Sequence, residues 1–159
     1  MDIAIVWDNI LGRGDWDLTS GDISLWSDIE GAVMVSLFTD RRAPDDWVPT
    51  DGTNDRRGWW ADIYEGDQIG SLLWTLDRVK ISDSAGMLAL ARQYCLDALK
   101  WLLSTGTVSK IDVATRWLNP GGQRNGIGIQ VVVRQPSGEQ VKFLYDLAWQ
   151  GTVSVQPQT

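Results

Sequence analysis

The chain of 159 residues carries 14 Lys and Arg against 21 Asp and Glu, a net charge of −7, with one Cys, ten Trp and no His. This length suits a single domain that can bury a core without metals or disulfides. The missing His excludes a Ser-His-Asp triad, a Cys-His pair and a His-containing zinc site, and one Cys cannot form an internal disulfide.

The charge is unevenly divided along the chain. Residues 1–67 hold 15 acidic residues and five Arg, a net charge of −10, whereas residues 68–159 have a net charge of +3. The acidic first part disfavours binding to nucleic acid or to an anionic membrane, because both require basic residues. No apolar run reaches the roughly 18 residues of a transmembrane helix, and the N-terminus lacks the basic start of a signal peptide. We therefore expect a soluble protein of a cytoplasm-like compartment.

The first part of the chain predicts short strands and one helix. Ile3–Trp7 alternates apolar residues as a short strand does, and Trp16–Thr19 suggests a second strand. Ser27 to Glu30 has the sequence of a helix capping box, and apolar residues at helical spacing continue to Phe38. The spacing predicts a helix from about Ser27 to Phe38.

Residues 39–67 show no regular apolar period and are too many for an ordinary connection. Loops beyond about 12–15 residues in compact domains tend to be functional or disordered. Disorder fits poorly here, because the stretch contains aromatic side chains that can dock it on the core, namely Trp47, Trp59, Trp60 and Tyr64. We predict an ordered excursion, followed by a helical turn over Gly70–Leu76.

The second part predicts one long helix and then an antiparallel sheet. Helical apolar spacing runs from about Ser84 to Ser104, and Gly106 stands where a C-cap glycine belongs. Alternating apolar faces and intervening turn sequences predict strands at Lys110–Leu118, Gly126–Arg134 and Val141–Gln150. Three Trp are expected to fill core positions on the helix and sheet: Trp101, Trp117 and Trp149.

The order of these elements predicts an α+β fold. We expect a three- to four-stranded antiparallel sheet, with a long helix and one or two shorter helices packed on one face. Residues 1–151 are predicted to form a single domain, and residues 152–159 a frayed C-terminal tail.

Acid–base hydrolysis is the enzymatic reaction that the composition leaves open. A glycosidase needs two carboxyl groups about 5–9.5 Å apart, one with its pKa raised by burial. Of the three glutamates, Glu30 belongs to the capping box, Glu139 lies in a hairpin turn, and Glu65 near Asp62 is the best remaining acid. An exposed acidic loop is the stronger interpretation of this pair.

Two further patterns carry little weight. Asp51 to Asp55 resembles the start of a calcium loop, but Arg56 stands where that loop requires glycine. Cys95 falls on the apolar face of the long helix and is predicted to be an inert core thiol. We therefore predict no metal site, no cofactor and no catalytic residue.

The tripeptide Asp-Arg-Arg occurs twice in the excursion, at 40–42 and 55–57. Arginine pairs with carboxylates through two hydrogen bonds, and Arg and Trp are enriched among the residues that contribute most to protein interfaces. Two interpretations stay open: each Arg pairs with a nearby Asp to fix the loop, or the loop presents these side chains to a partner. The candidate interface residues are Arg41, Arg42, Arg56, Arg57, Trp59 and Trp60.

Several spaced motifs, most of them with Trp, follow one another along the chain. They are Leu37-Phe38-Thr39-Asp40-Arg41-Arg42-Ala43, Asp55-Arg56-Arg57-Gly58-Trp59-Trp60, Gly70-Ser71-Leu72-Leu73-Trp74 and Ala98-Leu99-Lys100-Trp101-Leu102. Together with the terminal hairpin they resemble the Mu-like phage tail family called gene product forty-six, over nearly the whole chain from about Asp2 to Gly151. That family is similar in turn to the small baseplate wedge subunit of contractile-tailed phages. In the wider group the strand after the long helix begins with Glu-Pro-Arg, which grips the neighbouring wedge protein; this chain has Gly106-Thr107-Val108-Ser109-Lys110 there instead.

The resemblance implies a structural, non-enzymatic subunit of a phage or prophage tail baseplate. Such a subunit would contact other baseplate wedge proteins, and tail sheath or spike and hub proteins, after synthesis in the bacterial host cytoplasm. Neither nucleic acid nor membrane is an expected partner.

Two alternatives remain open beside this function. The first is a lysozyme-like peptidoglycan hydrolase that uses Glu65 with another carboxylate, namely Asp62, Asp55 or Asp51. The second is a glycan-binding module in which sugar rings stack on exposed indoles, namely Trp47, Trp59 or Trp60.

Overall fold

The computed structural model describes residues 2–3, 5–8, 13–16, 25–26, 28–48, 52–60, 62, 68–78, 84–118, 126–148 and 153–155. Within these ranges the strands are β1 (Asp2–Ile3), β2 (Ile5–Asp8), β3 (Arg13–Trp16), β4 (Leu25–Trp26), β5 (Lys110–Trp117), β6 (Gly126–Arg134), β7 (Gln140–Ala148) and β8 (Val153–Val155). The helices are α1 (Asp28–Phe38), a 3₁₀ helix (Leu73–Arg78) and α2 (Ser84–Ser104). The predicted α+β class is confirmed.

The four N-terminal strands form two small antiparallel pairs. β1 pairs with β4, and β2 pairs with β3 so that Ile5 lies opposite Trp16. The predicted first strand, Ile3–Trp7, is divided between β1 and β2, which pair with different partners. The strand β3 spans Arg13–Trp16 and shares only Trp16 with the predicted second strand, Trp16–Thr19. Apolar alternation could not locate β3, because pairing with β2 defines this Arg-Gly-Asp-Trp stretch. Residues 17–19 lie outside the described residues.

The main sheet has the strand order β5-β6-β7-β8, and each neighbouring pair is antiparallel. Val131 in β6 lies opposite Val113 on one side and Phe143 on the other, so inward-pointing apolar residues share one face. Residues 152–159 were predicted to be a frayed tail, but Val153–Val155 form the strand β8, which pairs with β7. Three residues are too few for an alternating pattern to be distinguished from a tail. The single domain over 1–151 stays a prediction.

The core lies between this sheet and the helices. The apolar faces of strands β5 to β7 and of helix α2 pack against each other, as their sequences predict. Buried residues of α1 and of the 3₁₀ helix belong to the same core. Fully burying one large aliphatic side chain contributes about 1.5–3 kcal/mol. The largest apolar side chains that are fully buried are Leu37, Leu76, Leu99, Leu102, Ile127 and Ile129.

Helix α2 ends as the sequence predicts, at a glycine with a positive φ. Gly106 has φ +73°, and the Val108 amide donates to the Leu102 carbonyl oxygen at 3.1 Å. Among the described residues, no helix combines the length and the apolar character needed to cross a membrane. Helix α1 begins at Asp28 as expected, although its predicted cap Ser27 lies outside the described residues.

The expected core position of Trp101 is wrong. This residue is 46% exposed, because it lies at the margin of α2 beside α1, where its indole N–H donates to Ser36 Oγ at 2.9 Å. A period of 3.6 residues indicates the centre of an apolar face better than its edges. Trp117 is half-buried against the core, and Trp149 lies outside the described residues.

Candidate functional site

The chain that leaves α1 is fixed beside the segment that precedes the 3₁₀ helix. The Ser71 amide donates to the Thr39 carbonyl oxygen at 2.9 Å, and the Arg41 amide donates to the Ser71 carbonyl oxygen at 3.0 Å. The buried Ser71 hydroxyl donates to the Leu37 carbonyl oxygen at 2.5 Å. These bonds anchor the first residues of the excursion to the core.

The two Asp-Arg-Arg tripeptides lie side by side. The Ala43 amide, directly after the first tripeptide, donates to the carbonyl oxygen of Arg56 in the second at 2.9 Å. Arg57 Nη1 forms an ion pair with Asp40 Oδ2 at 2.7 Å. The repeat in the sequence is therefore a contact in space, across a separation of 17 residues.

Arg57 fixes the loop through several groups at once. Its backbone has φ +49°, and its amide donates to Asp55 Oδ1 at 3.0 Å. Its guanidinium lies 4.8 Å from the ring centroid of Trp74, a cation–π distance. For Arg57 the structure thus shows the ion pair expected by the first of the two interpretations.

Trp74 in the 3₁₀ helix is the centre of this arrangement. The Arg78 guanidinium also lies over its ring, at 5.2 Å, and pairs with Asp55 Oδ2 at 3.5 Å. Trp47 packs edge-on against Trp74 with ring centroids 5.2 Å apart, and the Trp74 indole N–H donates to the Arg41 carbonyl oxygen at 2.9 Å. Apart from the Trp that ends the third motif, nothing in the sequence indicated this role of Trp74 and Arg78.

Arg56 and Arg41 use uncharged acceptors. The Arg56 guanidinium donates to the carbonyl oxygens of Pro44 and Asp45, the second at 2.8 Å, and so closes the turn after the first tripeptide. Arg41 Nε donates to Gln68 Oε1 at 3.3 Å. The expected local ion pair is thus absent for both arginines within the described part of the chain, where backbone and amide oxygens replace the carboxylates.

Arg42 and Trp60 point outward. Trp60 is 74% exposed and lies beside the half-buried Trp59, with ring centroids 5.8 Å apart and planes tilted by 53°. Gly58 lies against Arg42, since a Cβ on Gly58 would be 3.0 Å from the Arg42 Cβ. Arg42 is exposed and forms no ion pair with any residue that the structure describes. The six candidate residues therefore separate into a part that fixes the loop and a part that faces solvent.

The carboxylates considered for hydrolysis have structural partners where they are described. Asp55 pairs with Arg57 and Arg78, and Asp62 Oδ1 accepts from the Ile69 amide at 3.1 Å. Glu65 and Asp51 lie outside the described residues. In the described ranges, no three acidic or thiol side chains converge as metal ligands do.

Two titratable groups stand apart from this loop. Burial raises the pKa of the Glu30 carboxyl in α1, and it raises the pKa of the Cys95 thiol to about 12. Cys95 is fully buried in α2, so its predicted position in the core is confirmed.

The family model described as Phage protein GP46 matches residues 29–140 of the chain, a stretch that includes the whole excursion of residues 39–67. The chain belongs to this family. The resemblance predicted from the spaced motifs is therefore confirmed.

Two relatives match the GP46-family chain over nearly its full length. It is 38% identical to the baseplate protein gp46 of Escherichia phage Mu, over 94% of this chain and 98% of the Mu protein. It is 32% identical to the Mu-like prophage FluMu protein gp46 of Haemophilus influenzae, over 93% of this chain and 97% of that protein. Both relatives are thus matched end to end, not through one shared segment.

Proposed function

We propose that this chain is a structural subunit of the tail baseplate of a contractile phage or prophage, and that it acts by binding other baseplate proteins. The observation that carries the proposal is the 38% identity to a Mu protein named as a baseplate protein, over 98% of that protein. A match over 94% of this chain and 98% of the Mu protein supports a shared role, because the similarity is not limited to one short segment.

The proposed subunit is a wedge protein. It contacts other wedge proteins, and tail sheath or spike and hub proteins, in the virion baseplate after synthesis in the host cytoplasm. The solvent-facing pair of Arg42 and Trp60 supports such contacts, since Arg and Trp dominate the binding energy of many interfaces. The loop behind them is fixed by internal bonds, so little conformational entropy is lost when a partner docks.

The geometry of the loop supports binding rather than catalysis. A hydrolase needs a carboxyl group that is free to protonate a leaving group, whereas the described candidates are held: Asp55 by Arg78 and Asp62 by the Ile69 amide. A sugar platform at Trp47 fits poorly, because the ring of Trp47 packs edge-on against Trp74. Among the residues that the structure describes, no specific contact favours either alternative function over assembly.

A prophage with a stop codon early in this gene tests the baseplate role. We expect induced lysates without contractile tails, as counted by electron microscopy, and restoration of tails by the wild-type gene in trans. Normal tails in the absence of the chain would refute the proposed function.

A second variant tests the loop surface. Trp60→Ala should leave the monomer folded, because the side chain is 74% exposed, yet it should reduce the number of tails at least tenfold. The matched control is Leu90→Ala, which truncates an exposed apolar residue on α2 and should leave tails unchanged. Alanine at Arg56 or Arg57 is a less direct test, because both side chains fix the loop itself. If Trp60→Ala gives wild-type numbers of tails, Trp60 is not part of the interface.

A further inference from the structure

We propose that Arg41 and Arg42 bind a carboxylate of a neighbouring protein in the groove that they line. The inference rests on the proposed function, since it specifies the chemistry of the surface that a baseplate partner presents. The groove lies beside the hydrogen-bonded segments at residues 41–43 and Ser71. The residues that line it include Arg41, Arg42, Pro44, Asp45, Gln68 and Leu72.

The arginines around this loop differ in what neutralises them. Arg57 and Arg78 face Asp40 and Asp55 at ion-pair distance. Arg41 instead donates to the neutral side-chain amide of Gln68. Within the described residues, neither Arg41 nor Arg42 pairs with a carboxylate. In a chain of net charge −7, this groove therefore keeps two positive charges that internal ion pairs leave available.

Asp45 is the acidic residue that lines the same groove. Its backbone carbonyl oxygen accepts from Arg56 Nη2 at 2.8 Å, which fixes the turn at this residue. Among the ion pairs of the described residues, none joins the Asp45 carboxylate to Arg41 or Arg42. The side chain is exposed, so water screens its charge. The groove retains a net positive charge with Asp45 included.

The backbone of the groove is fixed before any partner binds. The Arg41 amide donates to the Ser71 carbonyl oxygen at 3.0 Å, and the Arg41 carbonyl oxygen accepts from the Trp74 indole at 2.9 Å. The half-buried Leu72 adds an apolar wall. A suitable ligand is therefore an Asp or Glu side chain, with an apolar neighbour that packs on Leu72. Bidentate pairing of guanidinium with carboxylate supplies the specificity.

A protein carboxylate fits this groove better than a nucleic-acid phosphate. Binding along a phosphate backbone requires a run of basic residues, and the charge of residues 1–67 is −10. A single carboxylate at a protein interface has no such conflict and gains from the local positive charge.

Three substitutions of Arg42 in the prophage test the charge of the groove. Lys keeps the charge, Gln removes it and Glu reverses it. We expect tail numbers within about twofold of wild type for Arg42→Lys, an intermediate loss for Arg42→Gln, and a loss of at least a hundredfold for Arg42→Glu. Lys100→Glu reverses an exposed charge on α2 and is the control for general electrostatic effects. Circular dichroism of each purified full-length variant establishes that it folds.

Suppressors of Arg42→Glu identify the partner chemistry. We expect second-site changes from Asp or Glu to Lys or Arg in another tail protein, which restore the ion pair with reversed signs. Equal tail numbers for the Gln and Glu variants, or suppressors that all map away from protein carboxylates, would overturn the inference. Wild-type assembly with Arg42→Glu would refute this inference alone, whereas normal tails without the chain would refute the proposed function.

Discussion

Gly70→Ala adds a single methyl group and should strongly destabilise the backbone contacts that anchor the loop. Gly70 has φ +103°, and a Cβ placed there would lie 2.8 Å from the Thr39 carbonyl carbon and 3.1 Å from the Arg41 amide nitrogen. Both neighbours are backbone atoms, so no side chain can rotate away to make room. The substitution must therefore separate the Gly70–Ser71 backbone from residues 39–41.

The expected cost has two parts. Holding a non-glycine residue at this φ costs about 1–3 kcal/mol. Moving the strands apart breaks the bonds Ser71 N–Thr39 O and Arg41 N–Ser71 O, each worth about 0.5–1.5 kcal/mol. The sum is a loss of about 2–6 kcal/mol in the free energy of unfolding, a large share of the roughly 5–15 kcal/mol that a domain of this size has.

Urea unfolding followed by tryptophan fluorescence measures this loss, because Trp74 and Trp47 report on the loop. The matched control is Gly52→Ala, since Gly52 has φ +72° and open space around a Cβ. Its cost should be limited to backbone strain, about 1 kcal/mol. If the two variants lose the same free energy within about 0.5 kcal/mol, the usual size of a surface effect, the clash with Thr39 does not exist in solution.

Three further predictions concern the core and the Arg57 ion pair. Burial raises the pKa of the Cys95 thiol from 9.0 to about 12, so the contribution of this thiol to stability is complete below pH 9 and is lost as the pH rises toward 12. The free energy of unfolding should therefore fall by about 1 kcal/mol between pH 9 and 10. A fall of the same size in Cys95→Ala would contradict this prediction. Leu99→Ala at a fully buried site of α2 should cost about 2–5 kcal/mol by urea unfolding, and a cost below about 1 kcal/mol would mean that this helix face is not packed. A double-mutant cycle of Arg57→Ala and Asp40→Asn should give a coupling energy of about 0.2–1 kcal/mol that decreases in 1 M salt, because both side chains are more than a third exposed; zero coupling at low salt would refute the pair.

The helices and the main sheet could be predicted because their apolar periods match their burial. The alternation of Val131 and Val133 in β6 and the helical spacing of Cys95, Leu99 and Leu102 in α2 each place one face in the core. Prediction failed where another interaction decides the structure. Pairing with β2, not an apolar period, defines β3, and Trp101 lies at the edge of an apolar face, where its indole bonds a serine hydroxyl.

The candidate site could be predicted only in part. Composition and motif order pointed to this loop, but not to which Asp pairs with which Arg. The Asp40–Arg57 pair spans 17 residues, and each Arg had an Asp closer in the sequence. The ring of Trp74 contacts the guanidiniums of both Arg57 and Arg78, and these contacts arise only in the tertiary structure, so the sequence could not indicate the pairing.

The two copies of Asp-Arg-Arg have the same chemistry and opposite orientations, and the backbone explains why. In the first copy the backbone is bonded to Ser71 through Arg41 and to Arg56 through Ala43, and Ala43 is buried while Arg42 is exposed. In the second copy, the positive φ of Arg57 turns its side chain onto Asp40 and Trp74. Each copy therefore depends on the other. Arg57 pairs with Asp40 and so fixes the segment that carries Arg42. A partner that binds Arg42 therefore binds a segment whose position Arg57 already determines.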